Sequence, residues 1–102
     1  MISHERIITI NLAKLKTKQD FLNKLSDELS FPSYFGKNLD ALDECMRDLG
    51  WIEDNKIIIQ FTNINKIQDR NNKLYEIIYD SLSFYQDFWR KNKSKKEVII
   101  RF

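Results

Sequence analysis

A loop passes into a helix within residues 31–46, which read Phe31-Pro32-Ser33-Tyr34-Phe35-Gly36-Lys37-Asn38-Leu39-Asp40-Ala41-Leu42-Asp43-Glu44-Cys45-Met46. The stretch holds the only proline and one of the two glycines of the chain. Both residues interrupt regular structure, and Asn38 is a favoured N-cap for a helix that follows it. The spacing predicts a helix from residue 38 to about residue 48, with a buried face made of Leu39, Leu42, Cys45, Met46 and Leu49.

The sequence on either side of this stretch alternates between strand and helix patterns. Short β-branched apolar runs predict strands over residues 7–10, 56–61 and 97–102, and we expect the first of them to be a buried strand. Helical spacing predicts helices over residues 17–29, 63–67 and 73–91, with the polar residues 68–72 as a loop. Apolar strands separated by helices are typical of the α/β class. We therefore expect a small three-stranded parallel sheet packed against about four helices.

Length and composition limit what the chain is able to do. A sequence of 102 residues predicts a single domain, residues 1–102, with one core. The apolar run at residues 7–10 is far too short for a signal sequence or a membrane span, so we predict a soluble cytoplasmic protein without a membrane partner, monomeric when free. The single cysteine, Cys45, excludes an internal disulfide, and we expect its thiol to be buried on the apolar face of its helix.

Catalytic residues are scarce. The only histidine, His4, lies in the N-terminal segment, and no P-loop, dinucleotide-binding glycine pattern or His/Cys cluster is present. We therefore predict that the protein is not an enzyme, with no catalytic residue, no metal and no cofactor. One alternative is a small hydrolase that uses Asp40 and Glu44 as a carboxylate pair, although a domain of this size rarely has a sugar-sized cleft.

The charges of the chain are segregated. Its net charge is +2, but residues 27–54 hold eight acidic side chains against two basic ones, which gives −6. Asp40 and Glu44 are four residues apart on one helix face, and Asp43 broadens the negative area. Such a face is often only solvated, and Asp40 also gains from the helix dipole. Because like charges held this close reduce stability, we interpret the face as a surface for a basic partner.

The basic residues cluster elsewhere, most densely between Arg90 and Lys96. Because Phe88 and Trp89 lie directly before this run, a small module that binds nucleic acid is the second interpretation. A solvated helix end explains the same run without any partner, since cations are favourable near a helix C-terminus. We expect no direct contact with nucleic acid.

The aromatic residues of the loop have two predicted roles. One of Tyr34 and Phe35 is expected to anchor the loop in the core. The other, exposed beside the acidic side chains, provides a contact of the kind that is enriched at binding hot spots. Gly36 fits either a turn that needs a positive φ or the close approach of a partner's backbone.

The whole pattern resembles the signature of the barstar family, the intracellular inhibitors of secreted guanyl-specific ribonucleases. The resemblance rests on the pattern Phe31-Pro32-x-Tyr34-Phe35-Gly36-x-Asn38-Leu39-Asp40-Ala41-Leu42-x-Glu44-Cys45 and on Leu49-Gly50-Trp51. It implies a three-stranded parallel sheet packed against helices. It also implies that the loop and the acidic helix block the active site of a cognate ribonuclease, with carboxylates in the place of RNA phosphates.

The resemblance also implies which residues bind the partner. With the aromatic loop included, the predicted set is Tyr34, Phe35, Gly36, Asn38, Leu39, Asp40, Asp43, Glu44 and Asp87. Glu44 takes the place of the family's central aspartate, so its carboxylate sits one methylene further out. Asp43 stands where the best-known member of the family has a tryptophan. Asp87 matches the last acidic contact of the family, which comes from the fourth helix.

Overall fold

A computed structural model describes residues 5–93 and 96–102 of the chain, so His4 and Lys95 lie outside the described residues. In this part of the chain, three strands and four helices follow one another in the order β1 (Glu5–Asn11), α1 (Lys18–Glu28), α2 (Leu39–Met46), β2 (Lys56–Thr62), α3 (Ile64–Arg70), α4 (Asn72–Lys91) and β3 (Glu97–Arg101). The three strands form one sheet in the order β1-β2-β3, and both pairs are parallel. The predicted α/β fold class is therefore confirmed.

The helices cover one face of the sheet. Alternate strand residues point into a single hydrophobic cluster shared with the helices, and these are Ile10, Ile57, Ile59, Phe61, Val98 and Ile100. The opposite face carries Ile7, Ile58 and Ile99, which lie side by side in the strand register. Ile7 is 58% exposed, so the prediction that the first strand is buried was wrong for this residue. The reason is that β1 is an edge strand of a sheet that has helices on one face only.

The first helix begins and ends where its sequence signals predicted. Thr17 is the N-cap: its hydroxyl accepts a hydrogen bond from the backbone N–H of Asp20, and the Asp20 carboxylate accepts one from the Thr17 N–H. A further backbone N–H, that of Lys16, also donates to Asp20 and is the main reason that the pKa of this carboxyl lies below its usual range. The capping box therefore fixes the start of α1.

The third helix is longer than predicted. It continues to Arg70, so the interpretation of residues 68–72 as a loop was wrong for most of that segment. Asn71 separates α3 from α4 by itself, because its N–H donates to the Ile67 carbonyl while its side chain accepts from the Leu74 N–H. One residue ends a helix and caps the next, which is why a run of polar residues contains almost no loop.

The longest helix, α4, carries the predicted apolar stripe. Its buried residues are Leu74, Ile78, Leu82, Tyr85 and Trp89. The spacing of three and four residues places them on one face, which packs against the sheet and α2. Across residues 5–93 and 96–102, neither α4 nor any other helix combines the length and hydropathy that a membrane crossing requires.

The end of α2 is held by side chains from the last third of the chain. The helix stops at Met46, about two residues earlier than predicted, and Leu49 then adopts a positive φ of 50°. The indole N–H of Trp89 donates to the Met46 carbonyl at 2.6 Å. The ammonium group of Lys96 donates to the carbonyls of Leu49 and Ile52 at 2.8 and 2.5 Å. The last carbonyl of α2 is thus satisfied from α4, and two carbonyls of the segment that follows are satisfied by Lys96, just before β3.

Candidate functional site

The start of α2 is tied to the aromatic loop by Asn38. Its side-chain oxygen accepts from the Ala41 N–H at 2.8 Å, and its amide nitrogen donates to the Gly36 carbonyl at 3.3 Å. A positive φ was one of the two explanations predicted for Gly36, and it is wrong. The neighbouring Lys37 adopts the positive φ instead, at 53°. A Cβ atom on Gly36 would lie 3.5 Å from the Ala41 Cβ, an ordinary contact, so the chain itself does not demand a glycine there.

The two aromatic residues of the loop divide as predicted. Phe35 is only 8% exposed, and its ring meets the Phe31 ring edge to face at a centroid distance of 4.9 Å. The Phe31 ring in turn packs edge to face on Trp51, whose indole donates to the Leu29 carbonyl. Tyr34 is 74% exposed. Phe35 therefore anchors the loop from inside, and Tyr34 is the aromatic side chain that it presents.

The loop and the acidic helix form one continuous surface. Tyr34, Gly36 and Glu44 line the same shallow pocket, whose volume is about 140 Å³. Asp40 and Glu44 are exposed on α2, and Asp43 is partly exposed beside them. Of the ion pairs within the described residues, none includes an acidic residue of α2. Within the described residues, the carboxylates of α2 are therefore not paired with Lys or Arg side chains.

Asp43 is joined to the core of α4. The hydroxyl group of Tyr85 donates to Oδ1 of Asp43 at 2.5 Å, and the Tyr85 side chain is fully buried. Burial first, and then the hydrogen bond and the charge of Asp43, raise the pKa of Tyr85 far above its ordinary value. This contact was not predicted from the sequence. The available signal was a hydroxyl group in the apolar stripe of α4, because a buried Tyr O–H normally finds an acceptor.

Arg47 lies next to Asp43 without forming an ion pair with it. Its Nε donates to the backbone carbonyl of Asp43 at 3.1 Å, and its guanidinium group lies 5.7 Å from the centre of the Phe84 ring. Phe84 is 46% exposed. The cation and the aromatic ring therefore form a second exposed feature at the edge of the acidic helix, which the sequence analysis did not identify.

Leu39 and Asp87, the remaining predicted site residues, do not line the pocket beside Glu44. Leu39 is partly buried and packs against the core. Asp87 is exposed on α4, two residues beyond Tyr85, and its carboxylate lies 3.5 Å from Arg90. An ion pair this exposed contributes little to stability. The Asp87 carboxylate is therefore open to solvent. In the described residues, its polar contact is with Arg90 on α4 itself and not with a residue of α2.

Cys45 is buried, as predicted, with 5% of its surface exposed. Burial, followed by the negative charges of Asp48 and Glu44, raises the pKa of its thiol. A thiol with a raised pKa is a poor nucleophile at neutral pH. Cys45 therefore belongs to the packing of α2 against the core and not to a reactive site.

The geometry does not suit a hydrolase that uses Asp40 and Glu44 as a carboxylate pair. The pocket beside Glu44, at about 140 Å³, is smaller than the clefts that usually hold a substrate, and Asp40 does not line it. Among the residues that the structure describes, no group of three or more His, Cys, Asp and Glu side chains could hold a metal ion. The two carboxylates lie on an outward helix surface, which is suited to contact with another macromolecule.

The structure weakens the interpretation that the segment from Phe88 to Lys96 binds nucleic acid. Trp89 is buried and donates to Met46, so its ring is not available for stacking on a base. The ammonium group of Lys96 is engaged with backbone carbonyls. Phe88 is partly buried and meets Trp89 edge to face. Trp89 and Lys96 therefore contact the segment in which α2 ends, which accounts for one aromatic and one basic side chain of this run.

Comparison with known proteins agrees with this arrangement. The family model described as Barstar (barnase inhibitor) matches residues 5–101, which is nearly the whole chain. The curated protein "Putative ribonuclease inhibitor YrdF" from Bacillus subtilis (strain 168) is 30% identical to this chain over 76 residues. That alignment covers 74% of this chain and 77% of the relative. The resemblance noted in the sequence is thus confirmed, and the chain belongs to the Barstar family.

Proposed function

We propose that this protein inhibits a ribonuclease by covering its active site with the aromatic loop and α2. The observation that carries the proposal is one surface on which Tyr34, Asp40 and Glu44 are all exposed. Within the described residues, neither of these two carboxylates is in an ion pair. Two comparisons support the proposal. The chain belongs to the family described as Barstar (barnase inhibitor), and the name of the Bacillus subtilis relative is that of a ribonuclease inhibitor.

The physical basis is a match between carboxylates and a cleft built for phosphates. A ribonuclease binds RNA with cationic side chains. Each carboxylate buried against them loses its hydration, and only a well-placed cation compensates for the free energy that this costs. An exposed negative surface also attracts a basic cleft before contact and so speeds association. A protein without such a cleft would leave the carboxylates buried and unpaired, and this makes the surface selective.

Preorganisation of the surface favours binding. Asn38 fixes the loop to the start of α2, and Trp89 and Lys96 hold the carbonyls at and beyond its end. Phe35 anchors the loop beneath Tyr34. Because the backbone of the surface is already ordered in the free protein, binding loses less conformational entropy than a flexible loop would lose.

We assign the central charged contact to Glu44 and the aromatic contact to Tyr34. Asp40 and Asp43 add charge around Glu44, and Asp87 extends the negative surface onto α4. The longer side chain of Glu44 and the acid at position 43 suit a nuclease whose cleft differs from that of the best-known member's partner. We place the inhibition in the cytoplasm, where a monomeric inhibitor acts as an immunity protein against a ribonuclease of the same cell.

An RNA-protection assay tests the proposal. Barnase and a panel of guanyl-specific ribonucleases are titrated with the protein while cleavage of a labelled RNA is followed. We expect stoichiometric inhibition of at least one nuclease and no mobility shift of the RNA when the protein is added without nuclease. A shift of the RNA by the protein alone, with no inhibition of any nuclease, would support the nucleic-acid-binding interpretation instead.

A further inference from the structure

A basic residue stands at the edge of the proposed inhibitory surface, where it opposes the surrounding charge. Arg47 follows α2 directly, four residues after Asp43 and three after Glu44. We propose that Arg47, held by Phe84, binds a carboxylate on the nuclease at the margin of its basic cleft. This inference rests on the proposed function and adds a specificity-determining contact to it. The two residues are called the Arg47–Phe84 patch below.

The orientation of Arg47 supports this role. Within residues 5–93 and 96–102, its guanidinium group forms no ion pair, although Asp43, Glu44 and Asp48 are its near neighbours in sequence. Its Nε is used by the backbone carbonyl of Asp43, and its planar group lies over the ring of Phe84. In the described part of the chain, its two terminal nitrogens have no acceptor, so they remain available to a partner.

The chemistry of the group identifies what it would bind. A guanidinium group presents two parallel N–H donors that match the two oxygens of a carboxylate, and it also stacks on aromatic rings. Phe84 restricts the side chain before binding, which reduces the entropy lost when the ion pair forms. A carboxylate is therefore the partner group that fits an arginine held in this way.

The patch is continuous with the inhibitory surface. Asp43 connects the two, because its carboxylate accepts from Tyr85 while its backbone carbonyl accepts from Arg47. A nuclease seated on Asp40 and Glu44 would therefore meet Arg47 at its margin. The contact is complementary only if that margin carries an Asp or Glu side chain. A nuclease with cations there would be repelled, so the patch adds discrimination between partners.

The sign of one substitution tests this inference. Arg47→Gln removes the positive charge and keeps a polar side chain. If Arg47 only faced a basic cleft, its removal would relieve repulsion and make binding tighter. If it pairs with a carboxylate, its removal should weaken binding, with Kd raised about tenfold. Binding is measured by stopped-flow or surface kinetics against the member of the ribonuclease panel that the wild-type protein binds most tightly.

Two further variants complete the test. Lys66→Gln removes one positive charge from an exposed position on α3 and is the matched control, for which we expect less than a twofold change in Kd. Phe84→Leu keeps an apolar side chain but removes the ring beneath the guanidinium group. As a positioning residue, Phe84 should matter only when Arg47 is present. Its effect on Kd should therefore vanish in the Arg47→Gln background.

The outcomes separate this inference from the proposed function. If the wild-type protein inhibits a nuclease and Arg47→Gln binds it equally well or more tightly, the inference is wrong and the proposed function stands. If no nuclease of the panel is inhibited or bound, both fail. If Arg47→Gln weakens binding, a charge swap completes the test. Arg47→Glu should regain affinity for a nuclease in which a carboxylate at the margin of its cleft is replaced by lysine. No recovery at any such position would also overturn the inference.

Discussion

The hydroxyl group of Tyr85 donates a 2.5 Å hydrogen bond to Oδ1 of Asp43 and so links the buried face of α4 to the acidic surface of α2. Tyr85 is fully buried, whereas Asp43 is partly exposed. The contact spans 42 positions of the sequence and orients one carboxylate of the surface from inside the protein. The core therefore fixes the orientation of this one carboxylate of the acidic surface.

Removal of this hydroxyl group should reduce stability by a modest amount. Tyr85→Phe keeps the ring in the core and deletes the donor to Asp43. Because Asp43 is partly exposed and regains water, we expect a loss of about 1 kcal/mol in the free energy of unfolding. Urea unfolding at pH 7 measures this, with an unchanged m-value as the check that the unfolding remains two-state. A loss below the error of the measurement would show that the hydrogen bond does not stabilise the fold.

The same pair predicts how stability changes at alkaline pH. The pKa of Tyr85 is raised in the folded protein, whereas in the unfolded chain it titrates near 10. Above pH 10 the unfolded state therefore loses a proton that the folded state keeps, and the stability contributed by Tyr85 falls by about 1.4 kcal/mol per pH unit. Below pH 10 this contribution is constant.

Tyr85→Phe is the control for this pH dependence, since all other titrating groups are shared by the two proteins. The difference in unfolding free energy between wild type and variant should be flat from pH 7 to 9.5 and should move against the wild type above pH 10. A difference that is flat to pH 11 would mean that Tyr85 ionises normally in the folded state.

Asp43 tests the electrostatic part of the proposed function. Asp43→Asn removes the charge but keeps an oxygen that accepts from Tyr85, so the fold should be retained. As a charge at the edge of the surface, it should act mainly on association. We expect a modestly lower association rate constant with a weaker dependence on salt, because exposed charges are screened beyond about 8–10 Å near physiological ionic strength. An unchanged association rate constant with much faster dissociation would place Asp43 at the desolvated centre instead.

Much of the fold was predictable because local signals agreed with one another. Thr17 and Asn38 are caps, and the chain does begin helices directly after them. The sequence also predicted that one of Tyr34 and Phe35 anchors the loop and the other is exposed, and the structure shows that Phe35 is the anchor. Where the signals conflicted, the prediction failed. The polar residues 68–72 resemble a loop, yet Asn71 separates two helices without one.

What could not be predicted depends on how distant elements pack. Ile7 and Ile10 belong to the same β-branched run, and only the one-sided placement of the helices exposes the first and buries the second. The contact between Asp43 and Tyr85 requires α2 and α4 to lie side by side, and no local sequence pattern predicts this packing. The position of Arg47 over Phe84 has the same origin.

Cys45 should be inert. Its thiol is buried and its pKa is raised, so both access and thiolate formation are unfavourable. We expect labelling by a thiol reagent at pH 7.5 to be slow in the native protein and rapid in urea. Cys45→Ala should fold with a loss of about 1 kcal/mol and keep full inhibition. Rapid labelling of the native protein would contradict the burial described above.

Tyr34 should separate binding from stability. Its ring is 74% exposed, so Tyr34→Ala removes little from the core and should leave Tm within about 2 °C of the wild type. If Tyr34 is a hot-spot contact, the same change should weaken nuclease binding by at least about 2 kcal/mol. Phe35→Ala is the contrasting variant. Because Phe35 is buried, we expect its main effect to be on stability, by about 3 kcal/mol or more.

The central claim is that Glu44 enters the phosphate site of a ribonuclease, and one comparison of dissociation constants tests it most directly. Kd is measured by calorimetry or kinetics for the inhibited ribonuclease with the wild type, Glu44→Ala and Asp69→Ala, the last of which removes an exposed carboxylate from α3. We predict that Glu44→Ala weakens binding by about 2–5 kcal/mol, with Tm unchanged or raised, and that Asp69→Ala has no such effect. Equal affinity of wild type and Glu44→Ala would contradict the account.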